Sequence, residues 1–212
     1  KEVGFATGWT DADAQPTIPQ LGFQSYNQLA WFDGTADYVT LGGDVTLSHD
    51  NSTFSAWIFR HTEESTSHHY WIYGANSGTT GLYISGGSHK LSLNSGGNLL
   101  TGTNTVPVGK WVHVAFTLAG DNTGQIYMNG VAETMTSNAI VHDSVVRKIG
   151  GRGSGGDTFA QGCITELSAW NVALTQAQIT ELYNDGEALD ATLHSSAANL
   201  VGYWRNEGAG TW

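Results

Sequence analysis

The chain has 212 residues, 40% of them hydrophobic and 11% aromatic, which is enough to bury one substantial core. Asp and Glu outnumber Lys and Arg by 19 to 8, so the formal net charge is −11 at pH 7. Such a surface repels a phosphate backbone, which argues against nucleic acid as a partner. No apolar run approaches the length of a membrane span, and one cysteine, Cys163, excludes an internal disulfide framework.

Residues 1–28 show no sustained hydrophobic period, which predicts an irregular lead-in that packs on a single domain formed by residues 29–212. Short strands are predicted from Leu29 to Phe32 and from Tyr38 to Leu41. The segment that joins them, from Asp33 to Asp37, has the composition of a turn.

Further strands are predicted where short apolar runs are separated by polar or glycine-rich turns. The chain contains 28 Gly and only 3 Pro, a composition typical of many hairpins whose turns need positive φ. The polar segment from Arg60 to His69 is predicted to be an exposed loop. The predicted strands span residues 53–59, 70–73, 82–85, 90–94, 145–149 and 159–170.

The clearest strand runs from Trp111 to Leu118, where two sets of side chains alternate with the period of a strand. A turn at Asp121 to Gly124 leads into a second run, and Asn129-Gly130 predicts a tight type I′ hairpin.

One helix is predicted from Thr175 to Asn184, with Thr175 and Gln178 forming a capping box and Gly186 as the left-handed C-cap. A last strand is predicted from Leu200 to Trp204. We expect it to lie beside the strand near Leu29 or beside the lead-in.

The run Trp111-x-His113-Val114-Ala115, followed by Tyr127-x-Asn129-Gly130, resembles a signature of laminin-G-like domains. The resemblance extends, in family order, over roughly residues 29 to 184. It implies an all-β antiparallel sandwich of the concanavalin A-like jelly-roll kind, with one short helix near residues 175–184. The end of the chain resembles tandem domains of large phage and bacterial surface proteins, and the start at Lys1 leads us to expect a processed or excised piece.

Many concanavalin A-like folds are glycoside hydrolases, which need two carboxylates facing each other across a cleft. The chain has no strand with Glu and Asp at alternate positions. Glu63 and Glu64 are neighbours in a polar loop, and Glu166 is alone on its strand. The sequence therefore predicts a protein that is not an enzyme.

Asp33 and Asp37 bracket a turn where oxygen ligands could converge on a hard cation. The resemblance implies one calcium ion there, held also by the strand that carries Glu166. This chain departs from the family pattern, because the usual Asp-Glu pair is Thr165-Glu166. The alternative is that Asp33 and Asp37 only cap the turn.

The eight histidines lack the spacing of a zinc site, and His68 and His69 point to opposite sides of a strand. The run Gly151 to Gly156 has the form of a dinucleotide fingerprint, but a strand follows it where a helix is needed. Neither motif predicts a function.

A glycan site would use aromatic faces for stacking and polar groups for sugar hydroxyls. Trp31, Trp57, Trp111 and Trp170 are at family core positions and are expected to be buried. Candidate ligand-binding residues lie in or beside the loops and short strands that would rim a concave face: Tyr70, Trp71, Asn76, Tyr83, His89 and Arg152.

These features predict a non-enzymatic binding module at an extracellular, cell-surface or virion-surface location, with a glycan or another surface ligand as its partner. The alternative is a structural domain of a virion or cell-surface assembly that contacts protein subunits. A glycoside hydrolase-like enzyme is the third hypothesis.

Overall fold

The computed structural model describes residues 30–75, 80–135, 139–152 and 158–205. The predicted lead-in, residues 1–28, lies outside these ranges, so its packing and the domain boundary at residue 29 stay predictions. Among the described residues, no helix is both long enough and apolar enough to cross a lipid bilayer.

The described chain forms thirteen strands and one α-helix. In chain order the strands are β1 (Trp31–Asp33), β2 (Val39–Leu47), β3 (Ser52–Arg60), β4 (Tyr70–Gly74), β5 (Gly81–Ile84), β6 (Lys90–Ser95), β7 (Asn98–Thr105), β8 (Trp111–Ala119), β9 (Thr123–Met128), β10 (Val131–Ala132), β11 (Ser144–Ile149), β12 (Gln161–Trp170) and β13 (Leu200–Trp204). The helix α1 spans Gln176–Tyr183, and three short 3-10 turns follow it at Asn184–Gly186, Ala191–Leu193 and Ala197–Asn199.

The strands pair into two antiparallel sheets. Sheet A has the order β1-β12-β3-β8-β9-β10, with β13 also paired to β12, and sheet B has the order β2-β11-β4-β5-β6-β7. The apolar faces of the two sheets pack on each other in a single main core. The prediction of an antiparallel β-sandwich with one short helix is confirmed.

Side chains on the central strands of sheet A alternate strictly between the core and the outer face of the sheet, and the inward set forms the core. On β8, Val114 and Phe116 face sheet B, whereas His113 and Ala115 face outward. Phe54 on β3 lies 5.9 Å from Phe116, measured between ring centroids, and packs on an aromatic side chain of sheet B as well. Because both faces of β8 are covered, all residues of β8 except the last are buried.

The predicted hairpin between β9 and β10 is confirmed. Asn129 and Gly130 adopt φ angles of 50° and 75°, the left-handed pair that a type I′ turn requires. The side-chain oxygen of Asn129 also accepts a hydrogen bond from the backbone N–H of His113, at 3.0 Å. The turn is thus fastened to the neighbouring strand.

The helix begins with the predicted capping box between Thr175 and Gln178. Its buried residues Ile179 and Leu182 lie on the outer face of sheet A, in a cluster with Trp170. The predicted C-cap is wrong by two positions, because Asn184 takes the left-handed conformation and Gly186 ends the 3-10 turn that follows.

Four further features differ from the predictions. Trp31, which was predicted to be buried, is 45% exposed because it lies on the short edge strand β1. The sequence pattern does not predict strand β7, because this edge strand alternates only weakly between apolar and polar residues. Arg60 is not in an exposed loop but is the fully buried last residue of β3, paired with Glu64 and bonded to the carbonyl of Val106. Strand β13 pairs with β12 and continues the edge that β1 begins, so it does not pair with β1. The alternative, that β13 lies beside the lead-in, stays a prediction because residues 1–28 lie outside the described ranges.

Candidate functional site

The outer face of sheet B carries a pocket of about 130 Å³. It is lined by His69, Trp71, Tyr83, Asn94 and Arg152. Three of these side chains are aromatic rings and two are polar groups at the edge of the rings. This combination of flat apolar faces and a few polar groups is typical of small-ligand sites.

Strand register brings the aromatic residues together. Trp71 on β4 lies directly opposite Tyr83 on β5, and their ring centroids are 4.7 Å apart with a 34° angle between the planes. The imidazole of His69, just before β4, lies 4.9 Å from the Tyr83 ring and 6.4 Å from the Trp71 ring. The three rings form one continuous aromatic cluster, in which Trp71 is buried and His69 and Tyr83 are half-buried.

A glycine makes room for this cluster. Gly81 on β5 pairs with Gly74 on one side and with Asn94 of β6 on the other. A Cβ atom at Gly81 would lie 2.2 Å from the carbonyl oxygen of Tyr73 and 2.9 Å from the Trp71 ring. The absence of a side chain therefore lets the indole pack against the backbone between β4 and β6.

Hydrogen bonds fix the polar atoms of the pocket. The Nδ1 atom of His69 accepts a hydrogen bond from the backbone N–H of Gly86 at 3.1 Å, so in the neutral ring Nε2 carries the proton. Burial, and then the charge of Arg152, hold the pKa of His69 below its ordinary value of 6.5. Burial also raises the pKa of Tyr83 above 10.0. Both groups are therefore neutral near pH 7.

Arg152 follows an isolated bridge between Gly151 and Phe159, just beyond the end of β11. Its side chain is half-buried, and its Nε atom has no hydrogen-bond partner within the described part of the chain. The indole N–H of Trp71 is likewise buried and unpartnered among the described residues. Two donor atoms of residues that line the pocket are thus buried without an acceptor in the described part of the chain.

The structure places three of the six predicted ligand-binding residues, Trp71, Tyr83 and Arg152, in this one pocket. Tyr70 lies in the core, where its hydroxyl donates to the carbonyl of Cys163 at 2.9 Å, so it cannot contact a ligand on the sheet face. His89 lies elsewhere, with its ring 3.4 Å from the guanidinium of Arg60. Asn76 lies outside the described residues.

Sequence reasoning missed His69 and Asn94. The sequence patterns indicate His69 only as a possible metal ligand and Asn94 only as the end of a strand. The alternation on β6 does carry a signal for Asn94, because Leu91 and Leu93 face the core and their polar neighbours must face outward. Only the pairing of Asn94 with Gly81 shows that it reaches the aromatic cluster.

The three predicted calcium ligands do not converge. One carboxylate oxygen of Asp33 accepts hydrogen bonds from the backbone N–H groups of Thr35 and Ala36, which lower its pKa, and Asp37 accepts one from the Asp33 N–H. Asp33 pairs with Gln161, whereas Glu166 lies five residues further along β12, a distance of about 16 Å. This donor set does not fit one calcium ion, and calcium binding at the turn alone stays a prediction.

The other titratable groups considered from the sequence are structural. His113 is buried, with Nε2 at 2.7 Å from the hydroxyl of Ser55, and burial lowers its pKa to about 3. Burial raises the pKa of the Cys163 thiol to about 12, so this thiol is not a nucleophile at neutral pH. The described residues contain no group of three His, Cys, Asp or Glu side chains that could hold a metal ion.

The chain belongs to the concanavalin A-like lectin/glucanases superfamily, because the model of a laminin G family within this superfamily matches residues 33–180. No match was found among curated protein sequences.

Solved structures share the fold at low sequence identity. A Bacteroides ovatus protein with a proposed role in carbohydrate binding has a TM-score of 0.63 and 19% identity over 87% of this chain and 54% of its own. A heptameric SAP-like pentraxin from Limulus polyphemus has a TM-score of 0.53 and 17% identity over 72% of this chain and 80% of its own. Trypanosoma rangeli sialidase has a TM-score of 0.58 and 17% identity over 76% of this chain and 28% of its own. This chain thus spans about half of the Bacteroides protein and less than a third of the sialidase.

Proposed function

We propose that this protein is a non-enzymatic, extracellular binding module that recognises a glycan through the pocket on sheet B. The observation that carries the proposal is the aromatic cluster of His69, Trp71 and Tyr83, in which His69 and Tyr83 are part-exposed on the buried Trp71 and polar groups lie at the edge. Sugar rings stack on such clusters through their C–H faces while their hydroxyls bond to the polar groups. The carbohydrate-binding role proposed for the Bacteroides protein of the same fold is consistent with this reading.

The chemistry of the pocket favours binding over hydrolysis. No carboxylate is among the described side chains that line it, whereas most glycosidases need an acid and a second carboxylate across the scissile bond. Glu64, in the predicted loop, is occupied by its ion pair with the buried Arg60. Incubating the protein with each glycan that it binds, and analysing the products, tests this part of the proposal.

The proposal predicts that Tyr83→Leu weakens glycan binding about fivefold, because it removes one stacking face worth about 1 kcal/mol. Leucine keeps an apolar side chain against Trp71, so we expect the sheet to stay folded. A glycan array identifies ligands of the wild-type protein, and isothermal titration calorimetry measures the affinity of each variant, with and without EDTA to test for calcium.

Trp31→Ala is the matched control, since Trp31 is an aromatic side chain, 45% exposed, that lies in sheet A. It should leave the affinity unchanged. A protein that binds no glycan across plant, animal and bacterial arrays, and that forms a stable oligomer in sedimentation experiments, would instead favour the structural domain of a virion or cell surface.

A further inference from the structure

The polar atoms that line the pocket are mostly hydrogen-bond donors. His69 uses Nδ1 to accept from Gly86, which leaves Nε2–H as its free atom. Asn94 uses its side-chain oxygen to accept from the backbone N–H of Gly97 at 3.2 Å, which leaves its NH₂ group. The Trp71 indole and the Arg152 guanidinium are donors only.

A neutral sugar is a poor match for such a surface. Each sugar hydroxyl both donates and accepts, and sites for neutral sugars therefore need acceptors such as carboxylates or amide oxygens. Here the hydroxyl of Tyr83 is the group that can still accept readily. A ligand group that brings several acceptors and no donors would match the N–H groups of His69, Asn94 and Arg152.

The charges around the pocket also favour an acceptor, and in particular an anionic ligand. Although the chain is strongly acidic, three of its eight Lys and Arg residues are Arg147, Lys148 and Arg152, at the end of β11 and just beyond it. Arg147 lies 3.5 Å from Asp44, and Lys148 lies over the ring of Tyr38. Arg152 forms no ion pair with any described Asp or Glu, so its charge is available to a ligand.

From these observations we infer that the pocket recognises a sugar that carries a carboxylate, such as a hexuronic acid or a nonulosonic acid. This inference rests on the proposed function and specifies its ligand class. The sugar ring lies on the exposed parts of the aromatic cluster, and the carboxylate accepts from the guanidinium of Arg152 and from the NH₂ group of Asn94. Arg152 is the specificity-determining residue, because a guanidinium matches the two oxygens of a carboxylate.

The experiment compares probes that differ only in the acid group. The pairs are trigalacturonate with its methyl ester and 3′-sialyllactose with its methyl ester. A sulfated lactose serves as the second kind of anion, and each probe is titrated calorimetrically into the intact chain. We expect one carboxylated probe to bind roughly ten- to a hundredfold more tightly than its uncharged counterpart, the effect typical of a charge-assisted pair. Arg152→Gln should reduce that ratio to about threefold or less.

Arg147→Gln is the matched control, because it removes the same charge from the same segment while leaving the pocket lining intact. It should preserve the preference for the acid. Equal losses in the two variants would overturn the inference, as would binding confined to the sulfated probe. Neutral probes that bind as tightly as the acids would overturn the ligand class while leaving glycan recognition standing, whereas no binding by any sugar would reject the proposed function itself.

Discussion

Individual buried polar residues decide how the sandwich responds to pH. His113 is the clearest example, since its ring is enclosed by Trp57 at 5.4 Å and Tyr183 at 6.1 Å and has one hydrogen bond, to Ser55. Desolvation lowers its pKa from 6.5 to about 3. Between these two values the unfolded chain binds a proton at this residue that the folded chain does not.

His113 therefore predicts a pH-dependent loss of stability. Its contribution is fully present above about pH 6.5 and falls as the pH decreases toward 3, by up to about 1.4 kcal/mol per pH unit. His113→Gln, which keeps a partner for Ser55, should flatten the plot of unfolding free energy against pH in this range. Urea denaturation at a series of pH values between about 7 and 4 measures it.

The control for this experiment is His61→Gln, which removes an exposed histidine at the end of β3. The His61 variant should keep the slope of the wild-type protein. Parallel curves for wild type and His113→Gln would show that the buried imidazole does not govern the acid response.

At the scale of elements, strand β5 shows most clearly that strand pairing and the geometry of the site depend on each other. Gly81 has a φ of 151°, a conformation that side chains rarely adopt, and it allows both the pairing with Gly74 and the position of the Trp71 ring. Strand and site thus depend on the same residue.

Gly81→Ala should destabilise the fold by about 2 kcal/mol or more, because the new methyl group meets backbone and the φ angle is strained. It should also displace Trp71 and so weaken glycan binding. Gly43→Ala on β2 is the control, since no atom lies within 4 Å of its Cβ position. Denaturant unfolding of both variants checks the prediction, and similar stabilities would contradict it.

Sequence patterns predicted the elements best where both faces of a strand are buried. The bounds of β8 and of α1 were within one or two residues, because alternation and a capping box are local signals. The site was harder to predict, since adjacent residues on β4 face opposite sides of the sheet. Tyr70 faces the core and Trp71 the pocket, and a β-bulge after Trp71 resets the alternation so that Tyr73 also faces the core. Register across three strands, which no local pattern encodes, completes the pocket.

At the scale of the whole molecule, the two outer faces have different roles. The helix and its cluster around Trp170 cover part of the outer face of sheet A, and a second buried cluster contains Trp57 and Trp111. Sheet B presents the pocket and the basic segment that ends at Arg152. Among the six tryptophans of the described residues, Trp71 is the one that lies in sheet B.

This distribution gives each face its own spectroscopic reporter. Titration of ¹⁵N-labelled protein with an oligosaccharide that it binds should shift the indole N–H signal of Trp71, because this ring lines the pocket and packs on Tyr83, so a ligand changes its surroundings. The indole signals of Trp57, Trp111 and Trp170, which are buried on the other sheet, should stay in place. Trp71→Phe assigns the shifted signal by removing it. Shifts confined to the three sheet A indoles would place the ligand on the opposite face, and the pocket would then have to be abandoned as the binding site.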